Sequence, residues 1–159
     1  NDIFKMVEEY SVDFAVSCSP FGKFHAVPLI HDRIMAMFPS RFEEKSTVTL
    51  NNPPDTLIIN RPAYETILEH TAPKNAVKFD KVILVQNAET AIHMVNDEIG
   101  VGIISEYTLS TLAPGCPKYP VIPDISFDIG LFANDLNDLT PAAAEFVRII
   151  CNNPTFHNH

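Results

Sequence analysis

Two periods of apolar and polar positions run along this chain, and the switches between them predict its elements. Ile3, Phe4, Val7 and Tyr10 recur at helical spacing behind Asp2, which can serve as N-cap, so a short helix is expected to run out near Ser11. VDFAVSC, residues 12–18, is β-branched and mostly apolar, as a strand covered on both faces would be, and SPFG breaks it. AVPLIHDRIMAMFP reads as a second, longer extended stretch in which His31, Asp32 and Arg33 interrupt an apolar run, and it is expected to cross between lobes. Residues 40–54 are polar and end in the breaker NNPPD. TLIIN, 56–60, is then a short buried strand, and Pro62 starts a helix that carries Tyr64, Ile67 and Leu68 inward.

KVILVQ, 81–86, is another buried strand. Asn87 caps a helix whose Ala88, Ala91, Ile92, Val95 and Ile99 share one face, and Gly100 occupies the place of a left-handed C-terminal residue. Gly102 lets the strand VGIIS begin close against that helix, and Ser105, at the strand's carboxyl end, is placed to cap a short helix over 106–112. One or two further strands fall in PVIPDISFDIGLFAND, and Thr140 and Pro141 open a last amphipathic helix with Glu145 and Arg148 on its outer side. This alternation predicts an α/β fold with a largely parallel sheet.

Composition narrows the function. With 46% hydrophobic and 19% charged residues, the 159-residue chain can bury a core as one compact unit or two small lobes. Twenty acidic against 11 basic side chains give a net charge of -9, so the chain lacks the cationic footprint that nucleic acid or an anionic membrane requires. No apolar run reaches spanning length and no signal peptide opens the chain, which predicts a cytoplasmic protein. Cys18, Cys116 and Cys151 lie far apart and read as reduced packing residues; the six histidines have no metal-ligand spacing, so neither a metal nor a cofactor is expected. The chain starts inside a predicted helix and is expected to be a fragment.

In parallel sheets, ligands gather at the carboxyl ends of the strands. Here those ends carry Ser17 and Ser19, Asn60 and Arg61, Gln86 and Asn87, and Ser105, a set of hydroxyls, amides and one guanidinium suited to a small anion such as a carboxylate. Asn87 and Ser105 read first as helix caps. Arg61 is badly placed for the dipole of its helix, which asks for a ligand as the reason, with a surface ion pair an equal account. Cys18 beside two serines could suggest a nucleophile, but no histidine partner motif accompanies it. GxGxxG, GxxxxGK[ST] and GxSxG are all lacking, so a binding protein is expected ahead of an enzyme.

In order, VDFAVS, VPLIHDRIMAMFP, NNPPDTLIIN, NDEIGVGIISE and TPAAAEFVRII resemble the effector-binding domain of LysR-type transcriptional regulators over nearly the whole chain. The resemblance implies a two-lobed fold like type II periplasmic binding proteins, with residues 1–38 and 126–159 in the first lobe and 39–125 in the second. It also implies a small-molecule effector between the lobes, a DNA-binding domain that is absent from this chain, and a homodimer formed through effector domains. The first lobe is incomplete, lacking the family's opening strand, helix and strand. By that resemblance Ser17 and Ser19 match the first-lobe strand end where the family often lines its cleft, Asn60 and Arg61 the loop and helix start opposite it, Gln86 and Asn87 the start of the helix leading to the glycine pair, and Ser105 a position after the following strand that is often a proline; all seven are taken as ligand-binding candidates. The runner-up is an extracytoplasmic solute-binding protein of similar fold, and a small two-lobed transferase or dehydratase is a third possibility.

Overall fold

A computed structural model describes residues 2–71 and 77–153. The chain divides into two compact units, one built from residues up to His31 together with those from Phe127 onward, the other from Asp32–Ser126.

The first unit contains α1 (Asp2–Glu8), β1 (Ala15–Cys18), the beginning of β2 (His25–Met37), most of β8 (Ser126–Ala133) and α5 (Pro141–Cys151). Its strands lie in the order β1-β8-β2, and β1 runs antiparallel to β8 with Ala15 opposite Phe132 and Cys18 opposite Ile129. The core is aromatic. Val7, Ala15 and Phe132 are buried, and Ile3, Phe4, Val12, Phe21 and Phe24 pack around them. Thr140 caps α5, accepting from Ala143 N, and Glu145 and Arg148 pair on the outer side as their spacing predicts.

The second unit holds the rest of β2, then β3 (Val48–Thr49), β4 (Leu57–Asn60), α2 (Arg61–His70), β5 (Val82–Val85), α3 (Ala88–Asn96), β6 (Val101–Ser105), α4 (Glu106–Leu112) and β7 (Tyr119–Ile122). The strand order is β2-β6-β4-β5. Every residue of β4 is buried, which explains its unbroken apolar run: it is flanked on both edges by parallel strands, β5 and β6. Ile58 and Ile104 pack with Ala91, Ile92 and Val95 of α3 and with Met35 and Met37 of β2.

The sheet is mixed. β4 pairs in parallel with β5 and β6, and β3 with β7, whereas β1 with β8, and β2 with β6 and β7, pair antiparallel. The long β2 enters the second unit beside β6 running the other way, Ile34 opposite Ser105 and Met37 opposite Gly102, so the parallel array ends at β6.

The turn between α3 and β6 also departs from the sequence reading. The residue with positive φ is Glu98, at 62°, and not Gly100. A Cβ on Gly100 would lie 2.3 Å from the carbonyl oxygen of Thr56, so glycine is needed there for close approach rather than for a left-handed backbone. Gly102 does what its position predicts, because a Cβ there would meet Val95 of α3 at 2.8 Å. Ile99 lies beyond the end of the helix and is 43% exposed.

Glu98 tolerates its backbone because long-range bonds hold its side chain. Its carboxylate accepts from the backbone N–H groups of Ser40 and Arg41, both at 3.1 Å, and from the Ser40 hydroxyl, while Arg41 donates to the Glu98 carbonyl and to Asp55. The Ser40 hydroxyl bond, first among these, holds the carboxyl of Glu98 below its ordinary value of 4.5. These bonds favour the charged form, so their contribution is complete above about pH 4.5 and is lost as acid titrates the folded-state group. Glu98→Gln is therefore expected to melt below the wild type at pH 7, with the two melting temperatures converging as pH falls toward 3. A gap that is constant across that range would count against the carboxylate.

Candidate functional site

The sequence-derived site residues divide between the two units. Ser17 and Ser19 belong to the first. Ser17 is half-buried opposite Gly130, and the Ser19 hydroxyl accepts from Asp128 N at 3.0 Å, so it helps fasten the end of β1 to β8.

The other five lie along one end of the second unit's sheet. Asn60 ends β4 opposite Val85, Gln86 and Asn87 follow β5, and Ser105 ends β6 opposite Ile34 of β2. The carboxyl ends of three adjacent parallel strands thus stand side by side, the arrangement in which α/β sheets collect ligands. The pleat sorts their side chains. Asn60, two residues after Ile58, lies on the face that packs against α3, whereas Ser105, next to Ile104 of that face, lies on the opposite one with Ile34 and Asp32.

Two of the five are committed to local structure. Asn87 accepts from Thr90 N at 2.9 Å as the cap of α3. Ser105 caps α4, accepting from Thr108 N at 3.2 Å and donating to the Thr108 hydroxyl at 2.8 Å. Arg61 is half exposed and lies 4.0 Å from Glu65 one turn along, a surface pair of little energetic weight. Gln86 is exposed.

Asn60 is different. It stands at the N-cap of α2 yet makes no side-chain cap bond, and α2 carries no acidic residue in its first turn. The residue is only 8% exposed, and its Oδ1 is buried with no hydrogen-bond partner among the described residues. A buried unmatched acceptor costs about 1–3 kcal/mol, so a chain that retains one keeps an amide oxygen ready for a donor from elsewhere. Beside it, the uncapped start of a ten-residue helix supplies the positive end of a dipole, an environment that favours anions.

Asp32, which in the sequence interrupts an apolar run, has a structural task that its position alone does not announce. It is 4% exposed, and its Oδ1 accepts from Arg33 N at 2.8 Å and from Tyr107 N at 3.0 Å, so it caps α4 from another strand. Its Oδ2 is buried without a partner among the described residues. The signal was available: a lone acid inside a buried strand must be bonded to something. Next to it, Arg33 donates to Glu106 at 2.7 Å, and the Glu106 carboxyl is held below its ordinary value by that bond first, against an opposing effect of burial. Lys118 Nζ lies 3.7 Å from the same carboxylate. Among the described residues, no group of three His, Cys, Asp or Glu side chains is placed to hold a metal ion, and no helix is long and apolar enough to cross a membrane.

Comparison with known proteins adds a lineage to this geometry. A family model described as LysR substrate binding domain matches residues 1–153. A curated relative, the uncharacterized HTH-type transcriptional regulator YoaU of Bacillus subtilis (strain 168), is 33% identical over 147 residues, which are 91% of this chain and 51% of that protein. The chain therefore spans about half the length of the relative it matches. Among solved structures, the regulatory domain of Synechocystis PCC6803 CcmR in complex with 2-PG superposes with a TM-score of 0.68 at 13% identity, covering 99% of this chain and 79% of that one. An ABC-type phosphate transport receptor from Vibrio cholerae superposes with a TM-score of 0.65 at 10% identity, covering 96% and 78%. At these identities the two structures bear on fold alone.

Proposed function

We propose, for a chain that belongs to the LysR substrate binding domain family, that it is the effector-sensing part of a transcriptional regulator and that its effector is a small organic acid that also carries a hydroxyl or an ammonium group. The observation that carries this reading is the state of Asn60, a buried amide oxygen without a donor beside an uncapped helix start. The two features ask for complementary chemistry. The helix start favours a carboxylate, and the Asn60 oxygen accepts only from an O–H or N–H donor. Arg61, beside them and held among the described residues by an exposed ion pair alone, can turn its guanidinium to the same carboxylate.

A regulator is favoured over a solute receptor because the 33% identical relative is a helix-turn-helix protein, while likeness to the transport receptor is one of fold at 10% identity. In the whole protein, DNA would be bound by a domain outside this chain, since a net charge of -9 gives this one no footprint for phosphate. Such a regulator would act in the cytoplasm as a homodimer formed through effector domains. An effector that prefers one arrangement of the domain shifts its population by its differential affinity, and the DNA-binding parts carry that shift.

A thermal-shift screen of the 159-residue chain against small hydroxy acids, amino acids and simple carboxylic acids tests the reading, because a ligand selective for the folded state raises its melting temperature. A hydroxy or amino acid is expected to outperform the matching unsubstituted acid. By calorimetry, Asn60→Ala is then expected to weaken that ligand by about 1 kcal/mol, and Arg61→Ala by about 1.5–3 kcal/mol. The ligand-free stability of Asn60→Ala should not fall by the cost of a broken bond, because the oxygen removed has no partner to lose. Unchanged affinity in both variants would remove this end of the sheet from the site.

A further inference from the structure

The second unit has a second feature, at the other end of its sheet. Phe38 follows Met37, the last residue of β2, and Pro53 and Pro54 precede β4, so both lie away from the carboxyl tips of the parallel strands. Between them is a cavity of about 410 Å3, within the range of about 300–1,000 Å3 that small-molecule sites occupy.

Its walls come from two loops, one carrying Phe38, Phe42, Glu44 and Thr47 and the other Asn52 and the two prolines. The walls are fastened to each other. Arg41, next to Phe42, donates to Asp55, next to Pro54, and the backbone N–H groups of Ser40 and Arg41 hold Glu98. With the φ of both prolines fixed as well, a ligand would find the cavity formed and meet little ordering cost.

The lining is selective in charge. Phe38 is 9% exposed and packs edge-to-face against Phe42 and Tyr119, making an apolar wall. The Phe42 ring already has the Arg41 guanidinium over it, 5.2 Å from its centroid, which marks that ring as one that attracts cations. Among the described residues Glu44 is the one charged residue of the lining, it is exposed, and its carboxylate makes no ion pair with any of them. Among the described residues no basic side chain lines the cavity, which leaves Glu44 as the charge that these residues present to a ligand.

We propose that this cavity is a second small-molecule site that takes a ring-bearing organic amine. The ring lies against Phe38 and Phe42, the ammonium pairs with Glu44, and the Thr47 hydroxyl and the Asn52 side-chain carbonyl accept its remaining N–H donors. The site differs from the strand tips in place and in the sign of the charge it selects, so it does not depend on the effector reading.

Benzylamine and benzoate, which share a ring and differ in charge, are the probes. Each is titrated into the 159-residue chain by calorimetry and followed by amide shift mapping in two-dimensional NMR. Benzylamine is expected to bind at millimolar concentration or below and to move the amides of Phe42, Glu44 and Thr47, while benzoate leaves them still. Glu44→Gln, a change at an exposed side chain, is expected to keep the wild-type melting temperature and weaken benzylamine about two- to fivefold, the range of a solvent-exposed ion pair. The proposal fails if benzylamine leaves those amides unmoved, if its shifts gather at Asn60 and Ser105 instead, if benzoate moves the same amides, or if Glu44→Gln binds as well as the wild type.

Discussion

Phe132→Ala is expected to cost about 3–5 kcal/mol of unfolding free energy, the usual loss when a buried phenylalanine becomes a cavity. Phe132 has no exposed surface, and its ring stacks on Phe4 at 4.5 Å and touches Phe24 at 5.3 Å and Phe21 at 6.0 Å. Few other side chains of the first unit are as deeply buried, so its neighbours cannot collapse onto the gap without moving α1 or β1 away from β8. A domain commonly holds about 5–15 kcal/mol in total, which leaves the variant near the edge of folding at 25 °C. Denaturant unfolding of the wild type, of Phe132→Ala and of Phe146→Ala checks this. Phe146 stacks on Phe14 but is 48% exposed, so its truncation should cost far less. Equal midpoints for the two variants would contradict the central place given to Phe132.

Gly100→Ala is expected to be the next most damaging single change, costing about 3 kcal/mol or more, at the upper end of what overpacking does. The new methyl would stand 2.3 Å from the Thr56 carbonyl oxygen, a contact no real Cβ makes. That oxygen cannot step aside freely, because it accepts from Val101 N at 2.9 Å and so anchors the start of β6 beside β4. Gly102→Ala makes a useful comparison, since its methyl would meet the Val95 side chain, which can turn, and not backbone. Thermal unfolding should rank Gly100→Ala well below Gly102→Ala. The reverse order would show that the β4–β6 junction is softer than the close approach implies.

These two sites mark the border of what sequence periodicity can tell. Several elements of the second unit were legible because each is specified locally: the buried run of β4, the Pro62 helix start, the Asn87 and Ser105 caps and the apolar face of α3 all announce themselves within a few residues, whereas β3, inside the polar stretch 40–54, and the partly exposed face of β5 did not. Gly100 was legible as a constraint and misread as to cause, since the atom that demands glycine belongs to Thr56 on another strand. Likewise Glu98 could take the left-handed position because Ser40 and Arg41 reach it from far along the chain. The antiparallel partnership of β1 with β8 was hidden for the same reason: residues 12–18 carry a strand's composition but no mark of direction or register. For the candidate site, residue types at strand ends picked out Asn60 together with Asn87 and Ser105. Only hydrogen-bond accounting separates the side chain with an unmatched oxygen from the two that are spent as caps.

The first unit joins residues that precede and follow the second unit in sequence, Ala15 facing Phe132. On a ribosome this imposes an order. Phe4, Phe21 and Phe24 emerge long before the ring that gathers them, whereas the second unit is contiguous and can close its own sheet as it appears. Closing the longer loop afterwards costs only a logarithmic increment of entropy, so the delay is one of synthesis more than of thermodynamics. Pulse-labelled amide exchange during refolding should therefore find β4 and β6 protected before β1.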